Sequence, residues 1–189
     1  YVPMVPIIIF IFKKDFLHWS VWPSVILCLI GGYLLTNFQD ATVRLGDTLV
    51  VLGALFWSTH IIFTGMIVKK YNLPLTIGAI QTLLVALFSF IIGLFSEEFV
   101  IDNILNEIDS ILYAGILSGG FAFVLQIYAQ RNITPAPAAI IFSLEGVFAT
   151  IAAWFLLNQI LGINNLLGCF FILSGVLLSQ LVPLIRKAS

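Results

Sequence analysis

Charge is scarce in this chain. Asp, Glu, Lys and Arg make up 9% of its 189 residues, where a soluble domain carries about 25%. The formal net charge is −1, and there is no basic patch of the kind that grips phosphate, which excludes nucleic acid as a partner. Cysteine is nearly absent: Cys28 and Cys169 both lie inside apolar stretches, so small buried hydrophobes are a better reading than a disulfide or a metal site. No glycine-rich phosphate loop, HExxH or GxSxG occurs, and no pattern of metal ligands repeats. No enzyme, metal or cofactor is therefore expected. One His and one Glu on separate segments do not make a catalytic site, so intramembrane hydrolysis is set aside. No cleavable signal peptide is visible. The chain opens on Tyr1, already in an apolar run, and reads as a piece whose upstream part is missing.

What is present is hydrocarbon. Hydrophobic residues reach 61% and the mean hydropathy is +1.13, more apolar surface than a water-soluble fold of this size can hide. The surrounding medium is lipid. A helix needs about 17–25 apolar residues to cross the hydrocarbon layer. One partial segment, Tyr1–Phe12, is followed by six of that kind: Trp19–Thr36, Thr48–Val68, Leu75–Phe95, Ser110–Ala129, Ala136–Leu157 and Ile163–Leu184. They are too long, and too free of strict alternation, for barrel strands. The expected fold is an all-α polytopic membrane protein with six full and one truncated transmembrane helices.

The few charges orient it. Lys13, Lys14, Lys69, Lys70, Arg131, Arg186 and Lys187 fall on one side if every segment spans, and the other side holds only Arg44 among the basic residues. The basic side is cytoplasmic by the positive-inside rule, which puts the C-terminus inside a plasma or inner membrane. The acidic stretch "SEEFVIDNILNEID" (Ser96–Asp109) then lies outside, as a plain loop or a short amphipathic helix. Trp19, Trp22 and Trp154, near segment ends, read as interface anchors.

The first two segments slide onto the last two by 143 positions. Ile8 then meets Ile151, Phe12 meets Phe155, and Gly32, Leu34 and Leu35 meet Gly175, Leu177 and Leu178. The connection "KKDFLHW" lies inside while its counterpart "LLNQILG" lies outside, so the same helix pair occurs in opposite orientations. Inverted repeats are a hallmark of secondary transporters and place the substrate near mid-membrane. The spacing implies five helices per unit.

Against that background Glu145 stands out. It lies about ten residues into its segment, or roughly 15 Å at 1.5 Å per residue, and a carboxylate there costs about 2.5–3.5 kcal/mol on insertion scales. Such a group faces protein or water, with Phe142, Ala149 and Ala152 on its face. Two readings stand: a group that binds a substrate amine or carries a proton, or a protonated or paired carboxyl that fixes packing. His60 shares a face with Gly53, Trp57 and Thr64 and is either a cavity residue or a histidine satisfied by a neighbouring helix; it is also a partner within reason for Glu145. Gln81 is either interhelical glue or a solute contact. Gln126 and Gln130 share a face with Gly115, Gly119 and Ala122, Gln130 being close enough to the cytoplasmic end to be wet. "GILSG" (Gly115–Gly119) has the GxxxG form of close helix packing.

"LQIYAQRNITPAPAAIIFSLEGVFATIAAWFLLNQ" (Leu125–Gln159) resembles the second repeat of EamA-type proteins of the drug/metabolite transporter superfamily. The AQR, the following proline, the small residues and the SLE-x-V-x-A run match in order and spacing. "GDTLVVLGALFWSTHIIFTGMIVKKY" looks like the opening helix of that repeat, and "YVPMVPII…GGYLLT" like the end of the first. The resemblance implies ten helices in two inverted five-helix repeats, with three missing here. Residues 1–36 are then the last two helices of the first repeat, 37–47 an extracytoplasmic linker, 48–184 a complete second repeat and 185–189 a cytoplasmic tail. It implies a transporter of small metabolites, amino-acid-like or drug-like, that exports by alternating access. The bilayer, a small solute and protons are the expected partners; a non-transporting scaffold or subunit is the alternative. Glu145, His60, Trp57, Gln81, Gln126 and Thr64 are the expected cavity residues. The family usually has a proline after this glutamate, where this chain has Gly146, which puts the proline kink in question.

Overall fold

The computed structural model describes residues 1–13, 17–36 and 45–188. Lys14, the linker positions 37–44 with Asp40 and Arg44, and the final Ser189 lie outside the described residues. All regular elements described are helical: α1 (Met4–Lys13), α2 (Val21–Leu35), α3 (Leu45–Tyr71), α4 (Pro74–Ser96), α5 (Ile101–Asn106), α6 (Ile108–Leu112), α7 (Phe123–Gln130), α8 (Pro135–Phe142), α9 (Leu144–Leu157) and α10 (Ile163–Ala188). Between α6 and α7 the helix continues in a wider, π-type winding over Tyr113–Ala122, where the glycine-rich "YAGILSGGFA" leaves the backbone permissive.

Five helical stretches are long and apolar enough to cross a membrane: Leu45–Tyr71, Pro74–Ser96, Ile108–Gln130, Pro135–Leu157 and Ile163–Ile185. The chain is an all-α, multi-pass membrane protein. α2 is shorter than the expected Trp19–Thr36, at 15 residues. Its start is held back by a turn in which His18 Nδ1 and Ser20 Oγ lie 2.8 Å apart and the Ser20 amide donates to His18 Nδ1 at 3.3 Å. The acidic stretch forms the short exposed helix α5 and the start of α6.

Local chemistry sets the other ends. α4 and α8 each begin on a proline, Pro74 and Pro135, whose φ suits the first helical position. α3 and α9 each end at an asparagine in the left-handed conformation, Asn72 at φ 55° and Asn158 at φ 52°, a common way to stop a helix.

The chain divides into two compact units, Tyr1–Phe63 with Thr134–Ser189, and Thr64–Ile133; the division falls inside α3. In the first unit α2 and α10 pack antiparallel along small residues. A Cβ on Gly31 would sit 2.6 Å from the Gly168 carbonyl oxygen, and one on Gly175 2.8 Å from the Ser24 oxygen and from Cys28 Sγ. Lipid provides no hydrophobic drive to join helices, so close backbone approach through small residues substitutes for it. α8 packs against α1, α2 and α10, burying Ala136, Ala138, Ala139 and Ile140. In the second unit α4 lies against α7, with Gly78 fitted to Val124 and Ile127.

Candidate functional site

The span Pro135–Leu157 is not one regular helix. It is interrupted at Ser143, where the Ser143 amide bonds Ile140 and the Gly146 amide bonds Ser143, each at 3.2 Å and each three residues apart rather than four. Ser143 Oγ donates to the Ile140 carbonyl and lies 3.4 Å from Cys28 Sγ. A distortion at the glutamate thus exists without the proline. It leaves Glu145 in the first turn of α9, at the end of the helix whose peptide dipoles favour a carboxylate, and close to the middle of the 23-residue span.

The turn also re-phases the rest of the span. The face of Glu145, Ala149 and Ala152, expected to point inward, is exposed, and Val147 is the buried position of α9 instead. Glu145 borders an open cleft of about 500 Å³ in the first unit. Tyr1 and Pro3, just before α1, line one side, α2 contributes Leu29 and Tyr33, and Gly146 and Ile172 complete the wall. Tyr1 Oη donates to Glu145 Oε1 at 3.5 Å, long for such a bond. Ser58 Oγ, on α3, reaches the Tyr1 carbonyl at 3.3 Å. Among the described residues Glu145 is the one charged side chain lining the cleft, and the rest of the wall is mostly apolar.

The other expected residues are distributed. Trp57 and His60 stack face to face, with centroids 5.1 Å apart and planes 20° apart, both half-buried. The partner of Glu145 is therefore Tyr1 rather than His60: the Ser143 turn directs the carboxylate to the α1–α2 side, while His60 lies along Trp57. In the second unit, Gln81 Nε2 donates to Thr64 Oγ1 at 3.1 Å, tying α4 to α3. Gln126 is half-buried, and its Nε2 has no hydrogen-bond partner among the described residues. Gln130 is not wet. It is 1% exposed, and neither amide atom has a partner among the described residues, because its helix packs down to its last residue. The GxxxG pair makes no close helix packing among the described residues: the space beside Gly115 is empty, and Gly119 meets its own helix at the Ala114 carbonyl oxygen.

Sequence reasoning missed Tyr1 and Tyr33 as cleft residues and Gly31 with Gly168 as the packing seam. For the seam a signal existed. Ser24, Cys28 and Gly31 recur at helical spacing, and Gly168 and Gly175 are seven apart, two turns on one face.

Residues 44–181 match the EamA-like transporter family. The chain is 29% identical over 187 residues to an Archaeoglobus fulgidus protein named "Uncharacterized transporter", covering 96% of this chain and 58% of that one. It is 27% identical over 168 residues to the "Uncharacterized transporter YoaV" of Bacillus subtilis, at 85% and 55% coverage. It is also 27% identical over 166 residues to "Protein WALLS ARE THIN 1" of Arabidopsis thaliana, at 84% and 40% coverage. The chain spans about half the length of the curated relatives it matches. No solved structure matches it at a significant level.

Proposed function

The chain belongs to the EamA-like transporter family, and from that premise we propose that it is part of an exporter of small amine-bearing metabolites that works by alternating access. The observation that carries the proposal is Glu145: one carboxylate on a mostly apolar cleft, in a span broken within two residues of it. Discontinuous helices near the bilayer midplane are where transporters of this kind hold solutes. A lone intramembrane carboxylate needs a cation, and either a solute ammonium or a proton supplies one. The Trp57–His60 stack is a second candidate surface in the same unit. In the second unit Thr64, Gln81 and Gln126 are proposed as hydrogen-bonding positions for the solute. The antiparallel run of α2 and α10, which the 143-residue offset pairs as counterparts, supports the inverted-repeat reading. The length of the relatives supports a parent protein of ten helices, set in the plasma or inner membrane with its C-terminus in the cytoplasm.

The test is efflux from proteoliposomes carrying the full-length protein, with a panel of labelled amino acids and organic amines, for wild type and Glu145→Gln. Losing the carboxylate is expected to cut amine flux by tenfold or more, the scale of one charge-assisted contact of about 1.5–3 kcal/mol. Wild-type flux in the variant removes Glu145 from the mechanism. Flux indifferent to an imposed proton gradient removes proton coupling. No flux for any solute in the wild-type protein favours the scaffold reading.

A further inference from the structure

The second unit holds a groove of about 550 Å³ beside the start of α4 and along α7. Its wall is apolar and open: Leu73, Leu75, Phe121 and Leu125 are each more than half exposed. At its end stand Asn72 and Tyr128, and onto these two Arg131 is fastened. The guanidinium donates to Asn72 Oδ1 at 3.1 Å and lies 4.7 Å over the Tyr128 ring.

These partners are neutral. Among the described residues no carboxylate pairs with Arg131, so its charge is uncompensated and most of its five donors are left over. Asn72 follows the span Leu45–Tyr71 and Arg131 follows the span Ile108–Gln130, which sets both at the level where hydrocarbon gives way to headgroups. Lys69 and Lys70, both exposed, precede Asn72 by three and two residues and add charge of the same sign. A fixed cation above an apolar trough is complementary to one kind of molecule with an anionic head and a hydrocarbon tail.

We propose that this groove seats one anionic phospholipid, its phosphate on Arg131 and an acyl chain along Leu73, Phe121 and Leu125. A guanidinium suits the role, since its planar fork takes two phosphate oxygens at once. Basic pockets between transmembrane helices are a known manner of holding anionic headgroups. The inference stands apart from the transport reading and does not involve Glu145.

The experiment is native mass spectrometry of the full-length protein in detergent with phosphatidylglycerol or phosphatidylcholine of equal chain length, alongside thermal midpoints with each lipid. Phosphatidylglycerol is expected to be retained roughly five- to tenfold better, about the weight of one basic contact at a membrane surface. Arg131→Gln should abolish that preference, and Arg131→Lys should keep part of it. Because Arg131 also clasps Asn72, a variant that leaves the clasp intact is needed: Leu125→Trp fills the trough and should lower retention of phosphatidylglycerol with the charge unchanged. Equal retention of the two lipids by the wild-type protein overturns the proposal. So does a midpoint shift by inorganic phosphate as large as that by phosphatidylglycerol, which would mark a soluble-anion site, or undiminished retention in Leu125→Trp.

Discussion

Two glycine pairs, one in each unit, behave in opposite ways. In the first, glycines bring two helix backbones together: Gly168 and Gly31 lie so close that a methyl on either would press on the other's carbonyl. The first unit's buried hydroxyls bond mainly to nearby carbonyls, Ser24 to that of Ser20 at 2.8 Å, Ser58 to that of Ala54 at 2.7 Å and Ser179 to that of Val176 at 2.8 Å, although Ser58 also lies 3.3 Å from the Tyr1 carbonyl. In the second unit the GxxxG glycines touch no other helix among the described residues, and Gln130 is buried with both amide atoms unsatisfied there. A glycine motif is an invitation to pack, and only an arriving partner makes it a contact.

The largest break in this contrast should come at Gly168. A leucine there has no space, since the Gly31 oxygen and Leu35 Cγ are both 2.8 Å from where its Cβ would begin. Overpacking typically costs about 1–3 kcal/mol, and a whole side chain set against backbone belongs at or above the top of that range. Gly168→Leu should lower stability in an SDS-unfolding titration by about 3 kcal/mol or more and separate α2 from α10. A variant within about 1 kcal/mol of wild type, the low end of that cost, would mean the seam is not where the two helices hold.

Gln130 comes next, with the opposite sign. A buried amide without partners costs about 1–3 kcal/mol, and leucine has similar bulk without that cost. Gln130→Leu should therefore stabilise the protein by an amount in that range in the same titration. Destabilisation would show that the amide is satisfied in the membrane, by water or by another part of the protein.

The elements and the site were legible to different degrees, for reasons of range. Apolar runs longer than a soluble helix can use mark the spans, while the helix ends at Pro74, Pro135 and Asn72 come from the structure. Glu145 stood out because a charge in such a run is rare. Its partner did not, because Tyr1 is 144 residues away and nothing local points there. The interruption at Ser143 was hidden for a related reason. The expected cause was a proline, and here a serine turning its hydroxyl onto the Ile140 carbonyl accompanies the break with Gly146 in the proline's place. Gln130 is not legible in the sequence because nearness to a helix end does not set wetness; burial depends on what packs beside it.

The smallest effect is expected at Gly115, and it bears most directly on the contrast. A Cβ there meets nothing within 4 Å, and alanine is favoured over glycine inside a helix by about 0.5–1 kcal/mol. Gly115→Ala should leave stability unchanged or raise it by up to that amount, with no change in the mass of the purified particle. If the GxxxG pair instead joins two copies in the membrane, a methyl at Gly115 separates their backbones. The variant would then lose stability and shift towards a smaller species in light scattering. That outcome would turn Gly115 from an open glycine into a second packing seam, equivalent in kind to Gly168.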